Sequence, residues 1–186
     1  MRVRYKCYSK NDTDMSKMHG PKECFVPVRQ DASQVIVSYE MTADGKKNAF
    51  WHEVTFFKKK GIPTLEQAKQ AVFEDINRQT DEKILTGFVW NNINVWLSEE
   101  NQRNFSEAQR IAMFSPGSLM PVTFKLGEDE EGKPVYHEFE TAEELTDFYL
   151  HAVAFINQCL AEGWMRKDGI DWAPYEAFFP ITPNAE

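Results

Sequence analysis

The middle of the chain carries the segment Ile84-Leu-Thr-Gly-Phe-Val-Trp-Asn-Asn-Ile-Asn-Val-Trp-Leu97. Large apolar residues alternate with small or polar ones on both sides of Asn91-Asn92, and such alternation is typical of half-buried strands. Asn accepts a positive φ more readily than other non-glycine residues, so this pair predicts a tight two-residue turn. The segment therefore predicts an antiparallel hairpin.

The predicted hairpin leads directly into a predicted helix. A two-residue turn places Phe88 opposite Val95 and Trp90 opposite Ile93, so large side chains meet across the strands. Ser98 follows the second strand, and a serine hydroxyl at this position accepts a hydrogen bond from the first turn of a helix. We therefore expect Ser98 to be the N-cap of a helix, and Trp90 to be a core residue.

The same order of two strands and a capped helix recurs over Val35–Asn77 and Val122–Glu162. Thr64-x-x-Gln67 and Thr141-x-x-Glu144 are capping boxes, which mark helix starts. The chain is therefore predicted to be an α+β protein. It would have three consecutive strand-strand-helix units, in which antiparallel hairpins pack against amphipathic helices. Whether the strands join in one sheet or two is left open.

Each predicted helix has an apolar stripe at helical spacing, which is typical of a face buried in a core. The stripes comprise Leu65, Ala68, Val72 and Ile76; Phe105, Ala108, Ile111 and Ala112; and Leu145, Phe148, Tyr149, Ala152, Ile156, Cys159 and Leu160. Gly163 is predicted to end the last helix as a C-cap. The polar run Arg78–Lys83 is predicted to connect two lobes. The run from Asn11 to Glu23 is predicted to be an exposed loop, because it is rich in polar residues and contains Gly-Pro.

Composition excludes several classes of protein. Of the 186 residues, 42% are hydrophobic and 13% aromatic, which is too apolar for a wholly disordered chain. The net charge of −8 argues against nucleic acid as a partner. We expect no membrane insertion, because no apolar stretch approaches the length of a span. The three cysteines show no CxxC spacing and no signal peptide is evident, which predicts reduced thiols in the cytoplasm of the producing cell.

No motif predicts catalysis, a cofactor or a metal. The four histidines lack the spacing of a zinc motif, and no GxSxG elbow or glycine-rich phosphate loop occurs. The acidic run Glu128–Glu131 lacks the ligand pattern of a calcium loop, so we interpret it as a solvated hairpin tip. We therefore expect a protein that is not an enzyme. The alternative of an enzyme would require side chains converging between the lobes, near His137 and His151.

The aromatic residues late in the chain are the candidate partner-binding residues. Trp164, Trp172 and Tyr175 lie where no regular inward face is evident. Exposed aromatic rings contribute strongly to contacts with proteins, and they also stack on sugars. If these rings are buried instead, they belong to the core, and this hypothesis fails.

Three stretches carry a resemblance to a known family. They are Thr86-Gly-Phe-Val-Trp-Asn-Asn-Ile-Asn-Val-Trp-Leu-Ser-Glu-Glu-Asn-Gln102, Pro121-Val-Thr-Phe-Lys-Leu126 and Ala161-Glu-Gly-Trp-Met-Arg-Lys-Asp-Gly-Ile-Asp-Trp172. The chain resembles, over about Thr80–Trp172, an uncharacterised domain family of phage and prophage proteins. These include tail-fibre-associated proteins, as found in Bacteroides-type gut bacteria. The family has no assigned activity, so the resemblance implies a structural or accessory role and supplies no catalytic residues.

Together these observations predict three segments and a function. Residues 1–79 form an N-terminal β-rich lobe that ends in a helix. Residues 80–172 form a family-like lobe of two hairpin-helix units, and residues 173–186 form an aromatic and proline-rich tail. We expect a non-enzymatic phage or prophage protein that acts through protein contacts, including self-association, with the virion as an alternative location. The alternative is a module that binds a carbohydrate or a host protein through the late aromatics.

Overall fold

The computed structural model describes residues 9–10, 17–43, 45, 47–115 and 119–179. The strands are β1 Ser9–Lys10, β2 Met18–Pro21, β3 Val28–Gln30, β4 Gln34–Ala43, β5 Asn48–Phe57, β6 Phe88–Trp90, β7 Ile93–Val95, β8 Val122–Glu128 and β9 Pro134–Phe139. The helices are α1 Leu65–Thr86, α2 Glu99–Phe114, α3 Ala142–Asp168 and α4 Ala173–Glu176. All the described strand pairs are antiparallel, so the prediction of an α+β fold is confirmed. The predicted strand over residues 2–8, with Cys7, lies outside the described residues.

Contacts between Cα atoms divide the chain into two units. Unit 1 comprises Met1–Ile76 and Lys167–Glu186, and unit 2 comprises Asn77–Arg166. The prediction of a polar connector at residues 78–83 is wrong, because α1 runs through this stretch without a break. Arg78 and Glu82 are exposed on this part of the helix, and Arg78 donates a hydrogen bond of 2.7 Å to Glu82 one turn later.

Unit 1 is built on a five-stranded sheet with the strand order β1-β2-β5-β4-β3. The prediction of a loop over residues 11–23 is wrong for its second half. There β2 pairs with β5, and the His19 ring stacks on Phe50 with the ring centroids 4.8 Å apart. The Gly-Pro pair at the end of β2 is typical of loops, so the sequence does not indicate this strand. Backbone hydrogen bonds to the longer strand β5 stabilise it. Residues 11–16 lie outside the described part of the chain.

The core of unit 1 lies between the sheet and the first part of α1. Its buried apolar members are Val28, Val35, Val37, Tyr39, Ala68, Val72, Ile76, Tyr175 and Phe179. The predicted inward positions Ala68, Val72 and Ile76 are fully buried. The segment predicted as a separate tail therefore contributes two aromatic side chains to this core.

Unit 2 begins with the hairpin predicted from the sequence. β6 and β7 pair Phe88 with Val95 and Trp90 with Ile93, as expected. Asn91 and Asn92 have φ values of 48° and 61°, which is the left-handed conformation of a primed turn. The Ser98 hydroxyl then accepts a hydrogen bond from the backbone N–H of Asn101, so its N-cap role is confirmed.

Aromatic rings form the centre of the unit 2 core. Phe148 on α3 is fully buried, and its ring centroid lies 5.0 to 6.0 Å from those of Phe88, Trp90, Phe105 and Phe139. These rings come from both hairpins of the unit and from α2 and α3. Cys159 is buried on the same side of α3, which confirms the prediction that this thiol is a core residue.

Gly163 lies inside α3, so the prediction that it ends this helix is wrong. A Cβ atom at this position would lie 2.7 Å from the Oγ1 atom of Thr80 on α1, which is closer than packed atoms approach. The missing side chain therefore permits a close helix contact rather than a turn. Three residues later, Arg166 donates a hydrogen bond of 2.7 Å to the Gln79 side chain on the facing helix.

Candidate interaction surface on the third helix

The solvent side of α3 presents a continuous stripe with mainly apolar side chains. Its members, which we call the α3 outer face, are Leu150, Ala154, Asn157, Ala161, Trp164 and Met165. Leu150 and Trp164 are each 60% exposed and Met165 is 74% exposed. From Leu150 to Trp164 the members follow one another at three or four residues, and Met165 lies four residues after Ala161. All six therefore lie on one side of the helix.

The core fixes which side of α3 is turned to solvent. The buried residues Leu145, Phe148, Ala152 and Cys159 form the opposite side of the helix. A helix that rotated to hide Leu150 would withdraw Phe148 from the aromatic cluster, at a cost of several kcal/mol. The α3 outer face is therefore exposed as a consequence of the packing on its other side.

Charged groups lie along one edge of the α3 outer face and at its two ends, where the exposed Glu143 and Asp168 fall on the same side of the helix. Along one edge, His151 contacts the Asp147 backbone carbonyl at 2.8 Å through its Nδ1 atom. Along the same edge, the Glu162 carboxylate accepts hydrogen bonds from Lys83 and Gln158, and these bonds lower the pKa of Glu162. This carboxylate is thus already paired with a cation, and the apolar part of the face lies between charged groups.

A groove runs beside the α3 outer face, between α2 and α3. It has a volume of about 280 Å³ and is lined by Leu97, Gln102, Arg103, Phe105, Ser106, Tyr149, Ala152, Val153 and Ile156. Pockets for small molecules usually measure about 300 to 1,000 Å³. The groove lies just below that range and suits one large side chain better than a cofactor.

The structure separates the three aromatic residues that were predicted to bind a partner. Trp164 is exposed in unit 2, whereas Trp172 is partly buried in unit 1, where it packs edge-on against Phe73. Tyr175 is only 5% exposed, so its prediction as a surface residue is wrong. Its hydroxyl donates a hydrogen bond of 2.8 Å to the Ser38 carbonyl, which satisfies the one polar group of a buried ring.

Burial also changes the acidity of the Tyr175 phenol. Loss of solvent raises the pKa of Tyr175 to about 12, and the nearby Asp171 carboxylate adds to the effect. A phenol in this state stays neutral at all physiological pH values. Tyr175 is therefore a structural residue of unit 1.

The histidines named for an enzyme hypothesis each have a carboxylate neighbour. The His137 Nε2 atom lies 2.9 Å from the Glu144 Oε1 atom, and the His151 Nδ1 atom lies 3.4 Å from the Asp147 Oδ2 atom. The His137 ring also packs against Trp90 in the core. Within the described part of the chain, no group of three His, Cys, Asp or Glu side chains is placed to hold a metal ion.

Sequence reasoning missed most of the α3 outer face and the groove. The sequence contained one signal of this face, because Leu150 and Met165 are large apolar residues that fall outside the inward stripe of α3.

Unit 1 also contains a polar cluster that the periodicity of the sequence did not indicate. In it, the Glu53 Oε1 atom accepts hydrogen bonds from Arg29 at 2.8 Å and from the Trp51 indole at 2.7 Å.

Comparisons with known proteins place the chain in a family but assign no activity. Neither the curated proteins nor the solved structures include a match to this chain. None of the described helices combines the length and the apolar character that crossing a membrane requires. A family described as a domain of unknown function (DUF4376) matches residues 67–182, which is well over half of the chain. The chain therefore belongs to the DUF4376 family, a family of unknown function.

Proposed function

We propose that this protein is a phage- or prophage-type structural or accessory protein that works through protein contacts rather than catalysis. The observation that carries this proposal is the α3 outer face. It exposes Leu150, Trp164 and Met165 on a helix whose other side is held in the core. The phage setting is supported by the resemblance of the two hairpin-helix stretches to phage and prophage proteins.

The composition of this face suits a protein partner. Single exposed apolar residues are normal, but an apolar patch with a polar rim marks an interaction site in many proteins. Trp164 is the residue type most enriched among those that dominate binding energy. The alternative carbohydrate site loses Tyr175 to the core, so only Trp164 of the three predicted aromatics is largely exposed.

Site-specific photo-crosslinking in the producing cell tests the proposed contact. A benzophenone amino acid at Leu150 or at Trp164 should give a covalent protein adduct after irradiation. The same amino acid at Gln70, an exposed position on α1, should give none. The absence of adducts from both test positions would overturn the proposal of a contact surface.

The phage setting has a separate test in the genes beside the coding sequence. We expect tail or capsid genes as neighbours. A metabolic operon in that place would contradict a phage role. The proposed contact surface would not be affected, because the crosslinking experiment tests it independently.

A further inference from the structure

We infer that unit 1 carries a further binding site, which takes an acidic peptide segment with one large apolar side chain. The site is a pocket between the end of β5 and the start of α1, which we call the β5–α1 pocket. It is lined by Thr55, Phe56, Phe57, Lys60, Gly61, Ile62, Pro63 and Gln67. All of these residues belong to unit 1, and the site is independent of the α3 outer face.

The β5–α1 pocket has the size and the lining of a site for one side chain. Its volume is about 340 Å³, at the lower end of the range in which proteins bind small molecules. Phe57, Ile62 and Pro63 give it apolar walls, and Lys60 adds a cation. An apolar pocket of this kind buries the anchor residue of a partner, and the charged group beside it selects what flanks the anchor.

The fold leaves two large apolar side chains of this pocket in solvent. Phe57 is 63% exposed and Ile62 is 59% exposed. Earlier in β5, Val54 and Phe56 pack against the core of unit 1, and successive side chains of a strand point to opposite faces. Phe57 therefore points away from that core, and it could turn inward only if the whole strand shifted by one residue.

The backbone fixes three lysines beside these apolar walls. A single 3₁₀ turn, Lys58–Lys60, follows β5 directly. Gly61 ends this turn with a φ of 100°, a conformation that favours glycine, and its N–H donates a hydrogen bond of 2.9 Å to the Lys58 carbonyl. The Lys58 ammonium group in turn donates a hydrogen bond of 2.6 Å to the Asp31 carbonyl. The turn is thus held to the sheet, and Ile62 follows it immediately.

The other two lysines give the pocket a positive rim. Lys59 and Lys60 are exposed, and neither forms an ion pair with a carboxylate of the described residues. Glu66 at the start of α1 is paired with Lys69 instead, at 2.9 Å. The rim therefore offers two cations that are available to a partner, on a chain whose net charge is −8.

Charge complementarity makes an acidic peptide the occupant that fits both parts of the site. Carboxylates of the partner would face Lys59 and Lys60, which lie opposite in sign to most of this acidic chain. An apolar side chain between those carboxylates would enter the pocket and cover Phe57 and Ile62. A small anion would meet the lysines and leave the apolar walls in water, so it would use only half of the site.

A second copy of this chain and an anionic membrane match the site less well. The acidic hairpin tip Glu128–Glu131 of another copy could meet the lysines, but it has no apolar side chain for the pocket. A membrane surface would meet only Phe57 and Ile62 as large exposed apolar residues beside the lysines. Membrane binding strengthens with the apolar area that enters the bilayer, and two side chains supply little.

Binding of labelled peptides to the full chain tests the site. Four fluorescein-labelled peptides carry phenylalanine, leucine, isoleucine or tryptophan between two pairs of glutamates. Matched peptides carry alanine at the centre, or glutamines in place of the glutamates. Fluorescence anisotropy should show binding of at least one apolar-centred acidic peptide, weakening as salt rises, and no binding of its matched peptides. If none of the four binds, the inference is overturned.

Substitution of the lysines tests the positive rim. The double variant Lys59→Gln/Lys60→Gln should weaken binding of the peptide by about fivefold or more, because two cations that face its carboxylates are lost. The control Lys47→Gln/Lys133→Gln removes the same charge at exposed positions elsewhere. It should change the affinity by less than about twofold, since distant surface charges are screened. Equal losses in both double variants would contradict the site.

Substitution of one apolar wall tests the pocket itself. Phe57→Ser should weaken peptide binding by about fivefold or more, because the anchor loses a contact surface. Phe114→Ser is the control, since Phe114 is 81% exposed at the end of α2. Circular dichroism checks that each variant is folded. If folded Phe57→Ser binds the peptide as tightly as the wild-type chain, the anchor is not in this pocket and the inference fails.

Two further measurements cover the other occupants. Wild-type chain that sediments with vesicles of phosphatidylserine and phosphatidylcholine, but binds no peptide, would assign the lysines to a membrane and overturn the inference. A dimer in light scattering that Lys59→Gln/Lys60→Gln dissociates, without peptide binding, would assign them to a second copy and overturn it as well. Crosslinking from Leu150 and Trp164 is unaffected by either result, so the proposed function stands or falls separately.

Discussion

The two units of this protein differ in how far apart along the chain their contacting residues lie. In unit 1, residues distant in the chain come together, as when the Tyr175 hydroxyl bonds to the Ser38 carbonyl across 137 positions. In unit 2, each hairpin joins neighbouring residues, and a helix follows within a few positions. Unit 1 therefore depends on long-range pairing, whereas unit 2 is assembled from pieces that are local in the sequence.

The two cores also differ in chemistry. Unit 1 buries Ser38 and His52, and its Tyr39 hydroxyl donates a hydrogen bond of 2.5 Å to Asp75. Unit 2 centres on a cluster of aromatic rings around Phe148. The first core depends on polar groups that keep their partners, and the second depends on the fit of large side chains. This difference predicts which changes each unit tolerates.

The largest effect is expected from removing the central ring of unit 2. Phe148→Ala should lower the free energy of unfolding of this unit by about 3 to 5 kcal/mol, because it leaves a cavity among four other rings. Denaturant unfolding followed by tryptophan fluorescence measures the change. Phe114→Ala is the control, since Phe114 is 81% exposed and its loss should cost less than about 0.5 kcal/mol. Equal effects of the two variants would contradict the aromatic core.

Alkaline pH should destabilise unit 1 through Tyr175. Burial raises the pKa of Tyr175 in the folded state to about 12, whereas an unfolded tyrosine titrates near 10. Above pH 10 the unfolded chain loses this proton first, so stability is retained below that pH and lost as the pH rises toward 12. Two pKa units correspond to a loss of about 2 to 3 kcal/mol at most.

The Tyr175→Phe variant isolates this contribution. It should be about 1 kcal/mol less stable at neutral pH, because the hydrogen bond to Ser38 is lost. It should also show a smaller decline of stability between pH 10 and 12, measured by denaturant unfolding at each pH. An alkaline decline as steep as that of the wild-type chain would contradict the role of this phenol.

A smaller effect should follow from adding one methyl group between two helices of unit 2. Ala is favoured over Gly inside a helix by about 1 kcal/mol, but Gly163→Ala would force its Cβ atom against Thr80. We expect a net loss of about 1 to 2 kcal/mol from this overpacking. Thermal unfolding of Gly163→Ala, Thr80→Ala and the double variant measures the coupling. The double variant should recover part of the loss, and purely additive effects would argue against the contact.

The local elements of unit 2 were predictable from the sequence. The hairpin register of Phe88 and Trp90, the Asn91-Asn92 turn and the Ser98 cap depend on neighbouring residues, so short-range patterns indicate them. Elements that depend on distant partners were missed. β2 exists because β5 pairs with it, and α3 continues past Gly163 because α1 packs there.

The candidate site was only partly predictable for the same reason. Trp164 was named as a partner-binding residue, but so was Tyr175, which is buried by a strand far away in the chain. Leu150 and Met165 were missed. The sequence shows that they are apolar residues on a helix, but it does not show whether they are exposed to solvent. The groove between α2 and α3 combines residues about fifty positions apart, which no local pattern links.

The amino-acid sequence by itself determined the α+β class, the hairpin turns, the helix caps and the inward stripes of the helices. These features follow from backbone preferences and from the periodicity of apolar residues over a few turns. Only the tertiary structure decided which late aromatic is buried and which side of α3 faces solvent. Exposure is set by what packs against a residue, and in this chain the packing residues are far away along the sequence.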